Sequence, residues 1–292
     1  WAKRCMTGLV GALLIGPLVV YLGMTGDYLV RAIGVTWASK WSVELAVTAL
    51  VLLPMCLRCS LNGAARISMV GMAAFAAICF LVIIDYFLAD AILTTGDSPK
   101  ISKIPVSHLT VLPTILFAQS AHMSIPLIAN TMTGPTGKRL FASISASTVL
   151  AASISALIGV FGFLHFGSAV KDDILTEPTR FMAIARVLMI VANISSFPVV
   201  ILQLQSFFPE NGSPKLNTIL ALTTVYLLSQ TSSSMAHVFN FISTWLGAPL
   251  TLILPPILYY RSLERPVRAI DLTMMALSLV AGTMAMLIAT FG

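Results

Sequence analysis

Residues 119 to 126 read Gln119-Ser120-Ala121-His122-Met123-Ser124-Ile125-Pro126, an amide, hydroxyls and an imidazole set in an apolar stretch just ahead of a proline. A proline inside a membrane helix has no N–H to give, so a carbonyl is freed that neighbours, water or a ligand must satisfy. An imidazole exchanges a proton near neutral pH, and with a hydroxyl and freed carbonyls beside it could hold a small polar solute or a coupling proton. Gln119, Ser120 and His122 are therefore the first site candidates. His122 as a satisfied packing residue is the equal alternative.

A second group, Asn193-Ile194-Ser195-Ser196-Phe197-Pro198, again places polar side chains beside a proline. Hydroxyl and carbonyl oxygens are the ligands that hard cations prefer, which makes Asn193, Ser195 and Ser196 candidates for an ion. Serines in membrane helices also bond back to their own carbonyls, and that role would be purely structural.

These groups sit in a chain of 292 residues that is 58% hydrophobic and only 10% charged. A soluble domain carries about a quarter charged residues. Nine apolar stretches, near 8–30, 42–57, 67–88, 108–132, 140–166, 181–207, 216–231, 236–259 and 269–291, are each predicted to cross a bilayer. The expected class is an all-α polytopic membrane protein in one transmembrane domain, 1–292, with the lipid bilayer as its surroundings.

The net charge of +6 is scattered over several loops rather than gathered in one patch, so no nucleic acid is expected. Cys56-x-x-Cys59 lacks the second pair that a zinc site needs, and no metal is expected. No His and carboxylate cluster of ligand spacing, nucleophile motif or phosphate loop argues for an enzyme. One face of the fifth stretch carries Ser143, Ser147, Ala151, Ser155 and Gly159, a small-residue stripe that predicts close approach of another helix.

With the first residues inside, the inside loops hold ten basic residues: Lys3, Arg4, Arg58, Arg66, Lys138, Arg139, Lys215, Arg261, Arg265 and Arg268. The outside loops hold six: Arg31, Lys40, Lys100, Lys103, Lys171 and Arg180. Positive residues mark the cytoplasmic side, so the chain starts inside and ends outside.

The order of motifs resembles the amino acid/auxin permease family, within the amino acid, polyamine and organocation transporters, and its vacuolar and vesicular members in particular. Ala121-His122-Met123-Ser124-Ile125-Pro126 is similar to the family's Gly-His-x-x-x-Pro on helix six. Met132 to Arg139 resembles its Met-x-x-Pro-x-Lys loop, and Gly159 to Gly167 the end of helix seven. Ser196-Phe197-Pro198 falls where helix eight carries a hydroxyl before proline, and Leu254 to Tyr260 resembles the end of helix ten.

The resemblance implies a LeuT-like inverted-repeat fold in which the nine stretches are family helices three to eleven, with the first two missing from this chain. It implies secondary active transport of a small amino acid by alternating access, with H+ or Na+ as coupling ion and no other cofactor. Substrate would lie beside Gln119, Ser120, Ala121 and His122, with Tyr21 of the first stretch as a further lining residue. The ion would lie near His122, Asn193, Ser195, Ser196 or Asp27, the acid of that first stretch. Ala121 stands where the family has glycine, so unwinding there is less strongly encoded.

A monomer in a vacuolar, lysosomal or other endomembrane is expected, rather than in the plasma membrane. An endomembrane sensor using the same pocket without net transport is the alternative. The charge bias carries a test of its own: the sequon Asn211-Gly212-Ser213 faces the cytoplasm and stays unglycosylated. A glycosidase-sensitive mobility shift that disappears in Asn211→Gln would reverse the orientation.

Overall fold

The computed structural model describes residues 2–34, 39–88, 111–119, 124–167, 173–207, 213–231, 234–262 and 269–291. The regular structure there is helical. In chain order the helices are α1 (Ala2–Ile33), α2 (Lys40–Arg58), α3 (Leu61–Leu88), α4 (Leu112–Ala118) and α5 (Ile125–Thr131). There follow α6 (Gly137–Phe166), α7 (Arg180–Gln205), α8 (Pro214–Ser229), α9 (235–262) and α10 (Ala269–Phe291).

Among the described residues, six helices are long and apolar enough to cross a membrane: Gly8–Ala32 within α1, then α2, α3, α6, α7 and His237–Arg261 within α9. The other three predicted stretches are not among these six. The segment 108–132 is represented by α4 and α5, each of seven residues. The stretch 216–231 is the 16-residue α8, and α10 holds a shorter apolar helix, Asp271–Leu287. Large apolar side chains point outward, with Leu50 75%, Phe141 74% and Met69 71% exposed. Such surface is stable in lipid and not in water, and the chain is an all-α polytopic membrane protein.

Contacts divide the chain into two compact units. One comprises Leu14–Lys100 and Val149–Ala236; the other comprises Trp1–Leu13, Ile101–Thr148 and His237–Gly292. In the first, α3 and α7 pack along each other, and Ile78 and Val82 meet Met182, Ala185 and Ile190 together with Tyr28 of α1. A Cβ on Gly71 would collide with the Ser195 hydroxyl, so glycine is what permits this approach. In the second unit, Leu13, Ile242 and Leu250 form the buried centre, with Phe117 packed against it.

Prolines shape two of the helices. Pro54 cannot donate to Leu50, and the turn before it widens, with Leu53 N–H bonding the Thr48 carbonyl five residues back. In α9 the widening occurs twice, at Ser243–Gly247 and Pro249–Ile253, around Pro249 and ahead of Pro255-Pro256. Pro256 deprives the Leu252 carbonyl of its helical donor, and the Ser278 hydroxyl of α10 donates to that oxygen at 2.7 Å. The sequence showed the prolines but not these wide turns.

The small-residue stripe of α6 meets no neighbour: Ser143, Ser147, Ala151, Ser155 and Gly159 are all exposed among the described residues, and nothing lies within 4 Å of where a Gly159 Cβ would stand. Among the described residues the expected close helix contact is not formed there. The contact that is formed at a glycine lies at Gly71, and it supplies a test. Gly71→Leu should force α3 from α7 and lower the unfolding temperature of the detergent-purified protein by several degrees, an overpacking cost of about 1–3 kcal/mol. Gly159→Leu should leave it unchanged.

Candidate functional site

In the unit holding α4, α5, α9 and α10, a polar group forms where α4 meets α9. Thr114, which follows Pro113 in the first turn of α4, donates its hydroxyl to Asn240 Oδ1 at 3.0 Å, and its oxygen lies 3.0 Å from Ser243 Oγ. Ser243 in turn donates to the Asn240 carbonyl at 2.9 Å. Below it, Phe117 presses on Gly247, where a Cβ would come within 2.8 Å of the ring.

Gln119 closes α4 with φ −88° and ψ −1°, its N–H bonded to the Ile115 carbonyl at 3.2 Å. Its Oε1 is buried without a hydrogen-bond partner among the described residues, as is Thr244 Oγ1 on α9. An amide oxygen so placed is an acceptor waiting for a donor. The next described helix begins at Ile125 after Ser124. Ser120, Ala121 and His122 lie outside the described residues.

In the other unit Tyr21 is half-buried on α1. Asp27, also on α1, already holds a cation of the chain, with Lys40 Nζ at 2.8 Å. Lys40 stands 3.8 Å from Oε1 of Glu44, one turn along α2. Glu44 is 0% exposed, and its other oxygen accepts from Ser229 Oγ at 2.7 Å and Gln230 Nε2 at 2.6 Å, both at the end of α8. Gly26 leaves the space, since a Cβ there would come within 2.6 Å of Glu44 Cγ. A buried carboxyl group needs polar partners, and residues of α2 and α8 supply them.

On α7 the Ser195 and Ser196 hydroxyls both donate to the Ala192 carbonyl at 2.9 Å. That is the back-bonding role foreseen as their structural alternative. Asn193 is buried one turn away from Phe197, and its Nδ2 has no hydrogen-bond partner among the described residues. Asn193, Ser195 and Ser196 therefore share one stretch of α7, whereas Asp27 is engaged with Lys40.

Sequence reasoning passed over a third group. Asp85 near the end of α3 faces His165 near the end of α6, Oδ2 to Nε2 at 3.4 Å, and the Thr179 hydroxyl donates to the same Oδ2 at 2.9 Å. Close by, Tyr28 OH donates to Asp173 Oδ2 at 2.8 Å. The signal was present: Glu44 and Asp85 are acids inside apolar runs, and an ionisable residue at that depth is costly enough to mark a function. No group of three or more potential metal ligands occurs among the described residues.

Comparison with known proteins places the chain in a family. Residues 2–292 match the sequence model of a family described as transmembrane amino acid transporter protein. The human sodium-coupled neutral amino acid transporter 7 is 34% identical over 125 residues, which is 41% of this chain and 26% of that protein. The rat protein of that name is 31% identical over 178 residues, 58% of this chain and 37% of its own length. Amino acid transporter AVT6E of Arabidopsis thaliana is 24% identical over 286 residues, 84% of this chain and 58% of that protein. The chain thus spans between about a quarter and three-fifths of these relatives. Since the family match runs from residue 2 to residue 292, the chain belongs to the transmembrane amino acid transporter family, the amino acid/auxin permeases that its motifs resemble.

Proposed function

We propose that this chain is part of a secondary active carrier for small amino acids, working by alternating access in a LeuT-like inverted-repeat fold of which it supplies nine membrane helices. The reading rests on one observation above the others. At Gln119 a buried acceptor without a partner among the described residues closes α4, at the edge of the segment whose motif resembles the family's helix six. A zwitterion brings three N–H donors and a carboxylate, which suits an amide oxygen and freed backbone groups.

In this proposal Gln119, Ser120, Ala121 and His122 line the substrate side, with Tyr21 as a further lining residue. Asn193, Ser195, Ser196 and Asp27 remain ion-side positions. No covalent step is needed: ion and substrate need only stabilise the same closed state for one gradient to drive the other. The proton is the proposed coupling ion, with His122 as its carrier. Sodium is the second reading, favoured by the name of the human and rat relatives, sodium-coupled neutral amino acid transporter 7. The proposal includes a monomeric single transport domain in an endomembrane, such as the vacuole or lysosome.

The test is uptake of a labelled amino acid panel by the full-length protein in proteoliposomes, under separate proton and sodium gradients. Small neutral or cationic amino acids should accumulate with the proton gradient; no accumulation of any amino acid under either gradient would overturn the proposal. His122→Ala should abolish the dependence of uptake on pH while substrate binding persists. An unaltered pH profile would remove His122 as the proton site. Ser195→Ala combined with Ser196→Ala should change cation dependence only if those hydroxyls hold an ion.

A further inference from the structure

The hairpin of α2 and α3 bounds an open groove of about 540 Å³ at its turn, and none of the substrate-side or ion-side residues lines it. Its apolar walls are Leu50, Val51, Pro54 and Met55 of α2 and Ile67 of α3. Leu50 and Val51 belong to the widened turn ahead of Pro54, and they are 75% and 41% exposed. Leu50 lies about 12 Å along the helix from Arg58, at about 1.5 Å per residue. That depth fits inside one leaflet, half of a hydrocarbon core of about 30 Å.

The shallow end is polar and positive. Arg58, the last residue of α2, is exposed and lines the groove together with Cys59, Ser60 and Gly63. Ser60 Oγ accepts from the Gly63 N–H at 3.2 Å and caps α3, so the positive end of a 28-residue helix lies in the same wall. Arg66 stands exposed on α3 beside Ile67. From residue 45 to residue 84 the sequence holds these two arginines and no acid. Among the described residues no carboxylate lies within ion-pair distance of Arg58. The charge bias predicts this turn to face the cytoplasm, the side on which anionic lipid is concentrated.

Charge, not apolar area, selects the occupant. An acyl chain that leaves neighbouring lipid for an apolar groove gains no hydrophobic drive, so the walls alone favour no lipid over another. An arginine without an acid at the mouth does discriminate, because its planar fork pairs with phosphate or carboxylate oxygens. A zwitterionic headgroup carries its own cation beside the phosphate and gains less from that pairing.

We propose that this groove binds one anionic phospholipid of the inner leaflet, with an acyl chain along the apolar walls and the headgroup at Arg58 and the start of α3. The site needs no transport activity and stands or falls apart from the carrier reading.

The experiment places the full-length protein in phosphatidylcholine nanodiscs with a small share of phosphatidylserine that carries a photoreactive diazirine on its acyl chain. Crosslinked peptides are located by mass spectrometry. Crosslinks should fall on residues 50–55 and on Ile67. Unlabelled phosphatidylserine should displace them about fivefold more effectively than phosphatidylcholine of the same chains, the contribution of one arginine near the surface. Glycerophosphoserine, the headgroup without chains, should not displace them. Arg58→Gln should lower the yield about fivefold, whereas Arg261→Gln, at the exposed end of α9, should leave it unchanged. Val51→Trp, which fills the groove and keeps Arg58, should lower it as strongly.

Equal displacement by the two lipids would make the groove ordinary lipid boundary, and displacement by glycerophosphoserine would make it a site for a soluble anion. Crosslinking unchanged in Arg58→Gln or in Val51→Trp would put the chain elsewhere, and a hydroxylamine-sensitive acyl group on Cys59 would make the occupant covalent. Each of these overturns the proposal. Where a variant does not fold, the displacement comparison on the wild-type protein decides alone.

Discussion

Lipid offers no partner for a backbone N–H or C=O, and each part of this chain answers that constraint. Regular helices answer it where the sequence is uninterrupted, as in α3 and α6. Where prolines interrupt, the solutions differ. In α2 the turn ahead of Pro54 widens so that Leu53 reaches back five residues to Thr48. In α9 the Leu252 carbonyl, stripped of its donor by Pro256, is served by Ser278 from another helix. At Gln119 a polar side-chain oxygen has no partner among the described residues. The same rule that builds the scaffold thus sets Gln119 apart from the rest of α4 among the described residues.

Charged groups follow a parallel logic. A carboxylate at membrane depth is tolerated when partners on other elements reach it, and Glu44 and Asp85 both draw such partners. Glu44 is held by Lys40, Ser229 and Gln230, so α2 and α8 are joined through one side chain. Asp85 joins α3 to α6 and to the segment that opens α7. These links are polar and directional, unlike the apolar contacts of Ile78, Val82 and Met182 around them.

Much of this was legible in the residues. Apolar length located α3, α6 and α7 to within a few residues, and the ordered motifs named the family. What escaped depends on contacts far apart in sequence. The acids in Trp41 to Leu53 and in Ile83 to Phe87 are visible as letters, but that one meets Ser229 and the other His165 is a property of packing. The pair Ser195 and Ser196 reads as ion ligand or as back-bonded hydroxyl, and only geometry shows both bonded to Ala192. The stripe on α6 has the periodicity of a packed face and yet is exposed, because small residues at fourth positions permit contact without supplying a partner.

The meeting of Gly71 and Ser195 has a mechanical corollary. Ser195 spends its hydrogen on its own helix, and Gly71 offers only bare backbone, so no bond crosses the interface at that point and nothing there latches one helix to a particular height on the other. The surface between α3 and α7 is smooth at this spot, suited to small sliding displacements of packed helices, while the directional ties sit at its end, at Asp85 and Thr179. Slip in the middle and grip at one end would turn any axial push into a tilt about that gripped end.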